Sequence, residues 1–401
     1  MEHVSGIRLR DIFLDNGNWW KLWIKKCHLI RYAIVINVLK MLACRTSIMG
    51  YHLFACPSCG NSKKVPHSCK SKFCSSCGKK STDLWLKRSF EKLPNTKWQH
   101  ITFTMPSEFW DFFWMNRRLM NKPPALAADI IKKLAKAQGF LPGIYLAIHS
   151  FGRDLKRNYH IHLSTTAGGL ALKTMNSWIA NAFFRHDDLK RMWKYEMTNL
   201  LRQEYKEGRL RLPPAFRHLN TYKKFNAWLD KHYQKTWVVH LNKQSENQKH
   251  NIEYLGKYLK RPPIGETRIK EFNHAAVTYE YLDHYTDTNK TLSLPPLEFI
   301  ERLIAHIPDK NFRSIRYYGF LSNRLIGKLL PLVNQLLEKT EKALCKIATS
   351  WRDMIKESFG LDPLECDVCG NIMKLHSVRY PSMTPLLERH QEIANGYPQL
   401  L

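Results

Sequence analysis

The sequence predicts an α+β protein in three parts: a helical, cysteine-rich N-terminal region (1–95), a central antiparallel β-sheet flanked by helices (96–325), and a mainly helical, basic C-terminal region (326–401). Three observations support this. Segments of the central region alternate apolar and polar residues, as half-buried strands do. They lie close enough in the chain to form hairpins. The segments on either side have helical character, and paired cysteines mark the N-terminal region.

The composition indicates a polyanionic partner. The 401 residues contain 63 Lys and Arg against 34 acidic residues, a net charge of +29, and nucleic acid is the usual partner of such a chain. Aromatic residues make up 12%, and rings interleaved with cations suit unstacked bases, although most of them are expected to fill cores. No apolar run reaches the roughly 18 residues of a membrane span, and no signal peptide is evident, so we expect a cytoplasmic protein.

The N-terminal region is predicted to hold one structural zinc ion. Residues 33–41 read as a core helix. Cys56 and Cys59 form one Cys-x-x-Cys pair, and Cys74 and Cys77 form another. Four thiolates in a tetrahedral array are a common closed zinc site, so these four cysteines are the predicted ligands.

The remaining cysteines allow several interpretations. His67 and Cys69, between the two pairs, could replace a ligand or bind a second ion. Cys366 and Cys369 form a third Cys-x-x-Cys pair that offers, with His376, at most three obvious ligands. That pair is either a remnant or a site completed elsewhere, for example by Cys345. Two cysteines are assigned to packing: Cys27 and Cys44.

The central region is predicted to place three histidines on one face of a hairpin. Residues 84–93 are predicted to form a helix that Pro94 ends. The predicted strands are 99–105, 143–151 and 159–166, and Gly168-Gly169 closes the last of them. A further strand is possible at 237–241. In a strand alternate side chains share a face, so His160 and His162 can hold one metal ion. Across the hairpin His149 can join them, with Asp154 in the loop as the alternative ligand. The plain alternative is that these histidines only pack.

Two tyrosines are predicted to share a helix face. Residues 251–261 read as a helix that Pro262-Pro263 ends, and residues four apart in a helix are neighbours. Tyr254 and Tyr258 could therefore reach one place, or they could simply pack along an amphipathic helix.

A strand at 272–281 and a helix at 295–307 follow, and 321–362 reads as helical and basic. Between them, residues 312–320 interleave cations with rings, as a DNA-contacting segment would. The residues concerned are Arg313, Arg316, Tyr317 and Tyr318. A partly buried strand is the alternative interpretation.

Taken in order, these motifs resemble those of the rolling-circle transposases of the insertion-sequence-91 group. The matching blocks run from Cys56-Pro57-Ser58-Cys59 through His67-Ser68-Cys69 and Cys74-Ser75-Ser76-Cys77 to His100-Ile101-Thr102-Phe103-Thr104-Met105-Pro106, His149-Ser150-Phe151-Gly152, Tyr159-His160-Ile161-His162, Tyr254-Leu255-Gly256-Lys257-Tyr258 and Arg316-Tyr317-Tyr318-Gly319-Phe320-Leu321-Ser322-Asn323-Arg324. One departure is Phe73, which stands where the family often has a histidine.

The resemblance implies a two-tyrosine HUH endonuclease behind an N-terminal zinc-binding domain. In that family a divalent ion, Mg²⁺ or Mn²⁺, sits on the histidine cluster, here His149, His160 and His162. Tyr254 or Tyr258 would attack a phosphate of single-stranded, element-end DNA and form a 5′-phosphotyrosine, and Lys257 would contact the DNA.

Two other classes stay open: a zinc-knuckle DNA-binding regulator without enzymatic activity, and a replication initiator or relaxase that uses the same chemistry. A monomer and a dimer are equally compatible with the sequence.

Overall fold

A computed structural model describes residues 6–244, 262–283, 286–337 and 350–395. The helices within these ranges are α1 Leu9–Leu14, α2 Asn18–Lys26, α3 Tyr32–Ala43, α4 Ser75–Lys92, α5 Trp110–Met115, α6 Pro123–Ala137, α7 His186–Lys206, α8 Tyr222–Gln234, α9 Pro296–Ala305, α10 Ile326–Leu336, α11 Trp351–Phe359 and α12 Thr384–Asn395. The strands are β1 Tyr51–Ala55, β2 Ser62–Pro66, β3 Trp98–Phe103, β4 Phe140–Phe151, β5 Arg157–Ala171, β6 Trp178–Ala180, β7 Val239–Leu241, β8 Ile269–Phe272, β9 Val277–Asp283, β10 Thr288–Leu294, β11 Ile315–Gly319 and β12 Lys374–Arg379. The predicted α+β class is confirmed.

The central sheet is antiparallel and has the strand order β11-β4-β5-β3-β7, with β6 paired to one end of β5. The hairpin predicted between β4 and β5 is present, and a short turn at 152–156 joins the two strands. Strand β5 does not end at Gly168-Gly169 as predicted. A Cβ at Gly169 would lie 2.1 Å from the Leu141 carbonyl oxygen, so glycine there permits close approach of the neighbouring strand.

The two faces of this sheet carry different side chains because residues alternate along each strand. One face presents aliphatic residues such as Leu146 and Leu163, which pack under α5, α6, α7 and α8 in the largest apolar core. The other face presents Tyr145 and Ala147, against which α4 and α10 pack. His149 continues this second face along β4.

Gly319 holds the edge strand β11 against β4. Its φ is +62°, in the left-handed region, and a Cβ there would lie 1.7 Å from the Pro142 carbonyl oxygen. We expect Gly319→Ala to lower the free energy of unfolding by at least about 2 kcal/mol, from backbone strain and collision together. Chemical denaturation would measure the loss.

The matched control for this substitution is Gly327→Ala in α10, where nothing lies within 4 Å of the added Cβ. That variant should be neutral or slightly stabilising, because alanine favours helix. Equal unfolding curves for the two variants would contradict the assignment of strain to Gly319.

Packing crosses the predicted domain boundaries. The sheet β8-β9-β10 and helix α9, from the middle of the chain, bury their apolar side chains against α1, α2 and α3. A contact of 2.5 Å joins the Lys26 ammonium to the Glu301 carboxylate across this interface. The single strand predicted at 272–281 is a hairpin instead, since the backbone turns between Asn273 and Ala276.

The C-terminal region is not only helical, because β12 pairs with β1 to form the small sheet β12-β1-β2. Tyr51 pairs with Arg379, so a late segment of the chain completes a sheet begun in the N-terminal region. Among the helices within the described ranges, none is long and apolar enough to cross a membrane.

Candidate functional site

Three histidines converge on one face of the β4–β5 hairpin. His149 lies opposite His160 in the strand register, and His162 follows two residues along β5 on the same face. One nitrogen from each ring lies within 4.8 Å of the others, and the Nε2 atoms of His160 and His162 are 3.1 Å apart. Two imidazole nitrogens that share an ion at about 2.1 Å lie about 3.0–3.4 Å apart, so this arrangement can hold a metal ion.

Neighbouring groups fix the orientation of two of these rings. The Nδ1 of His160 lies 2.9 Å from the Asn158 carbonyl oxygen, which can only accept, so Nδ1 carries the proton and Nε2 keeps its lone pair for the cluster. The Nδ1 of His162 lies 3.2 Å from both the Thr102 hydroxyl and the Nε2 of His100. Strand β3 thus supplies the partners of the Nδ1 atom of His162, whereas its Nε2 atom faces His160.

The environment keeps these imidazoles neutral. Burial, reinforced by the neighbouring histidines, holds the pKa values of His149 and His162 well below the ordinary 6.5. Burial also lowers the pKa values of His160 and His100 to about 4. Because neutral imidazole is the metal-binding form, the cluster is ready to bind a cation at pH 7 without releasing protons.

The alternative ligand Asp154 lies apart from the cluster. Its Oδ1 accepts from the Lys156 backbone N–H at 3.1 Å, inside the hairpin turn. Among the described residues, the group on this sheet that could hold a metal ion consists of the three histidines and includes no carboxylate.

A cleft opens beside His149 at the end of β4. Its walls come from the cysteine-rich region, through Lys72 and Phe73, from β4 itself, from residues 306–314, and from Pro262-Pro263. The described chain resumes at Pro262 after the segment that contains Tyr254, Lys257 and Tyr258, and these three predicted site residues lie outside the described residues.

The predicted DNA-contacting segment forms strand β11. Tyr317 points to the second face, where its hydroxyl accepts from the Trp85 indole N–H at 3.2 Å, whereas Tyr318 packs against the core under the other face. Arg316 donates to the Asn121 carbonyl oxygen at 2.8 Å, and Arg313 is exposed. The two tyrosines therefore do not form one stacking surface, and DNA contact by this strand stays a prediction.

The predicted zinc site of Cys56, Cys59, Cys74 and Cys77 is corrected by the structure, which separates its two halves. Cys74 and Cys77 lie with two cysteines from elsewhere in the N-terminal region, Cys44 and Cys69. Cys56 and Cys59 lie with the C-terminal pair, Cys366 and Cys369. Cys44, for which the sequence predicts only a packing role, is thus part of a thiol cluster. No disulfide joins the described cysteines.

The β1–β2 hairpin explains this separation. Cys56 and Cys59 lie in the turn at one end of the hairpin, whose strands span about 17 Å. At the other end the His67 N–H donates to the Gly50 carbonyl oxygen, which returns the chain to the end of α3. Cys69 follows there, close to Cys44, and α4 begins directly after Cys74.

The cluster of Cys44, Cys69, Cys74 and Cys77 has the dimensions of a tetrahedral metal site. Three Sγ–Sγ distances, Cys44–Cys77, Cys69–Cys77 and Cys44–Cys74, are 3.8, 3.6 and 3.6 Å. A zinc–sulfur bond of about 2.3 Å gives a tetrahedral edge of about 3.8 Å.

The electrostatics of this cluster are compatible with a bound cation. Hydrogen bonds from Cys44, Cys69 and Cys74 lower the pKa of the Cys77 thiol, while contacts with Cys44 raise the pKa values of Cys69 and Cys74. Four thiolates this close cannot all ionise without a compensating positive ion. The start of α4 at Cys74 adds the favourable field of a helix N-terminus.

Two residues of these sites, His100 and Thr102, have no role predicted from the sequence. Of the two further cysteines, Cys44 is predicted only to pack, and Cys69 is predicted as a possible extra ligand without a known partner. Alternation along β3 carried the signal for the first two, because it places them on the face shared with His162. For the cysteines the signal was weaker: only the fold shows that Cys44, at the end of α3, meets Cys69.

Two family models match the chain in the order of these sites. The model described as "Transposase zinc-binding domain" matches residues 16–105, which include the thiol cluster, and the model described as "Putative transposase" matches residues 143–327, which include the three histidines. These two matches therefore define a transposase with a zinc-binding domain.

The relatives agree with this class. The chain is 36% identical over 367 residues to the transposase for insertion sequence element IS801 of Pseudomonas savastanoi pv. phaseolicola, covering 90% of this chain and 87% of that protein. It is 26% identical over 375 residues to putative transposase y4qJ of Sinorhizobium fredii, covering 91% and 93%. No solved structure gives a significant match. The chain belongs to the insertion-sequence-91 family of transposases, enzymes that act on DNA.

Proposed function

We propose that the protein moves its insertion sequence by rolling-circle transposition, as a metal-dependent HUH endonuclease that nicks and transfers single-stranded DNA. The observation that carries this proposal is the convergence of His149, His160 and His162 on one sheet face, with nitrogens close enough to share an ion. The net charge of +29 suits a DNA substrate.

The three histidines are the proposed ligands of a divalent ion. Bound there, Mg²⁺ or Mn²⁺ would polarise the scissile phosphate and offset the charge that develops on it. The nitrogen-only donor set favours Mn²⁺, since Mg²⁺ prefers oxygen ligands. Asn158 holds the ring of His160 in its orientation, and Thr102 and His100 hold the ring of His162. Metal-bound histidines are commonly oriented by such hydrogen bonds to their other ring nitrogen.

Tyr254 and Tyr258 are the proposed nucleophiles. The hydroxyl of one attacks the phosphorus and gives up its proton; a bond forms between the tyrosyl oxygen and phosphorus, and the bond from phosphorus to the 3′ oxygen breaks. The products are a 3′-OH and a 5′-phosphotyrosine. The second tyrosine would carry out the next transfer. A phosphodiester is exchanged for a phosphodiester, so no nucleotide hydrolysis is needed.

The zinc-binding domain is proposed to hold its ion on Cys44, Cys69, Cys74 and Cys77 and to contact DNA. These cysteines lie in the core that joins α1, α2 and α3 to the cleft-lining Phe73, so a bound ion would fix that wall of the cleft. Basic residues flank the cluster, among them Arg45, Lys70 and Lys80, and suit phosphate contacts.

Covalent capture of DNA tests the proposal. Purified protein is incubated with single-stranded oligonucleotides that tile the DNA flanking the coding sequence, with Mn²⁺ or with a chelator, and resolved by denaturing electrophoresis. A 3′-end label should stay on the protein through the 5′-phosphotyrosine, and a 5′-end label should leave on a shortened strand with a 3′-OH.

The position of the label and the dependence on metal distinguish a nuclease from a DNA-binding regulator. Tight binding without adduct or cleavage on every oligonucleotide would contradict the proposal and favour a DNA-binding regulator. An adduct that carries the 5′ label would contradict the assigned polarity.

A further inference from the structure

The second thiol cluster joins residues from the two ends of the described chain. Cys56 and Cys59 lie in the turn between β1 and β2, and Cys366 and Cys369 lie just before β12. The Sγ atoms of Cys56 and Cys369 are 3.5 Å apart, and those of Cys59 and Cys366 are 3.6 Å apart. These separations match the edge of about 3.8 Å expected for four sulfurs around one zinc ion. A disulfide would need about 2.05 Å.

The two halves of this cluster have the same sequence pattern, Cys-x-x-Cys-Gly-Asn, and the same backbone geometry. The Cys56 N–H donates to the Asn61 carbonyl oxygen at 2.8 Å, and the Cys366 N–H donates to the Asn371 carbonyl oxygen at 2.9 Å. In both turns the N–H of the glycine donates to the carbonyl oxygen of the first cysteine, at 3.0 Å in the first turn and 2.9 Å in the second. Gly60 and Gly370 have φ values of +72° and +71°. Each half is therefore a preformed two-thiolate knuckle.

The surroundings of the cluster support a built site. Strands β1, β2 and β12 form one sheet that holds both knuckles, and Phe54 and Met373 bury Cys56 and Cys366 in a small apolar core. The Asn61 side-chain amide lies 3.7 Å from the Cys366 sulfur as a donor. Lys63 bridges the halves, with its ammonium 2.7 Å from the Asp367 carboxylate.

We propose that Cys56, Cys59, Cys366 and Cys369 bind a second structural Zn²⁺ ion, which fastens the C-terminal region to the N-terminal zinc-binding module. The site is distinct from the one formed by Cys44, Cys69, Cys74 and Cys77, and it does not depend on the proposed nuclease mechanism. It needs Cys366 and Cys369, which lie beyond the residues matched by the zinc-binding-domain model.

Zinc content of the full-length protein tests this pairing through differences between variants. Cys366→Ser/Cys369→Ser should lose one zinc equivalent relative to the unmodified chain, and Cys56→Ser/Cys59→Ser should also lose one. The quadruple variant should lose one rather than two, because all four residues serve one ion. Cys27→Ser is the matched control and should lose none, since Cys27 belongs to neither cluster.

Two results would overturn the proposal: unchanged zinc content in Cys366→Ser/Cys369→Ser, or a loss of two equivalents in the quadruple variant when each double variant loses one. Any zinc bound by the three histidines would be present in every variant, so it does not affect these differences in zinc content.

Thiol alkylation of the unmodified protein keeps the test valid if a variant misfolds. Cys59 and Cys369 are exposed, so in the metal-free protein they should react with iodoacetamide. With zinc bound, all four cysteines should be protected, and a chelator should release them together, as peptide mass spectrometry would show. Rapid labelling of Cys366 and Cys369 in zinc-loaded protein, or their recovery as a disulfide, would refute the proposal.

Discussion

Replacement of both Tyr254 and Tyr258 by phenylalanine is expected to abolish the covalent protein–DNA adduct, a loss of at least about 10³-fold, while DNA binding stays within about twofold. The substitution removes only the nucleophilic oxygen and leaves the ring. Adduct yield on a 3′-labelled oligonucleotide and affinity by electrophoretic mobility shift, at the same salt concentration, measure the two quantities.

Each single variant should keep one nucleophile and so retain cleavage, but lose the second transfer step. The control is Tyr195→Phe, because Tyr195 is exposed on α7 and belongs to none of the sites. Adduct formation by the double variant at the unmodified rate would refute the tyrosine mechanism even if the metal requirement held.

Removal of the proposed metal ligands should have an effect of similar size. For His160→Ala/His162→Ala we expect cleavage to fall by about 10³-fold at saturating DNA, because an ion that contributes several kcal/mol of transition-state stabilisation is no longer held. Thr102→Ala should fall by only about 10- to 100-fold, because Thr102 positions a ligand rather than serving as one. Titration of each variant with Mn²⁺ separates the two cases, since the Thr102 variant should recover at high metal concentration.

The matched control for the histidine variants is His218→Ala, which alters an exposed histidine outside the sheet. Full activity of the His160/His162 variant in the presence of a chelator would show that cleavage does not use this cluster. Loss of DNA binding in step with cleavage would instead point to a damaged fold, which circular dichroism would reveal.

The histidine face was predictable because its determinants are local. Strand alternation places His160 and His162 on the same side of the sheet, and the short polar turn brings β5 back beside β4. Given that register, His149 can only face His160. The same rule places Tyr317 and Tyr318 on opposite faces of β11, because adjacent residues of a strand point to opposite sides, so the two rings cannot share one DNA-contacting surface.

The cysteine pairing was not predictable because it is non-local. A Cys-x-x-Cys-Gly pattern fixes the backbone of each knuckle but carries no information about which other knuckle it meets. Nearness in sequence favoured Cys74 and Cys77 as the partners of Cys56 and Cys59. The length of the β1–β2 hairpin separates Cys56 and Cys59 from Cys74 and Cys77, and the pairing of β12 with β1 brings Cys366 and Cys369 to them instead.

The return of β12 to β1 has a consequence for how the protein is made. Cys56 and Cys369 are 313 positions apart, so the sheet β12-β1-β2 lacks its third strand until the long stretch of chain between them has been synthesised. Synthesis proceeds at about 5–20 residues per second, and contacts so distant in the chain form late. A message cut short before β12 would therefore give a product with an unfinished N-terminal module.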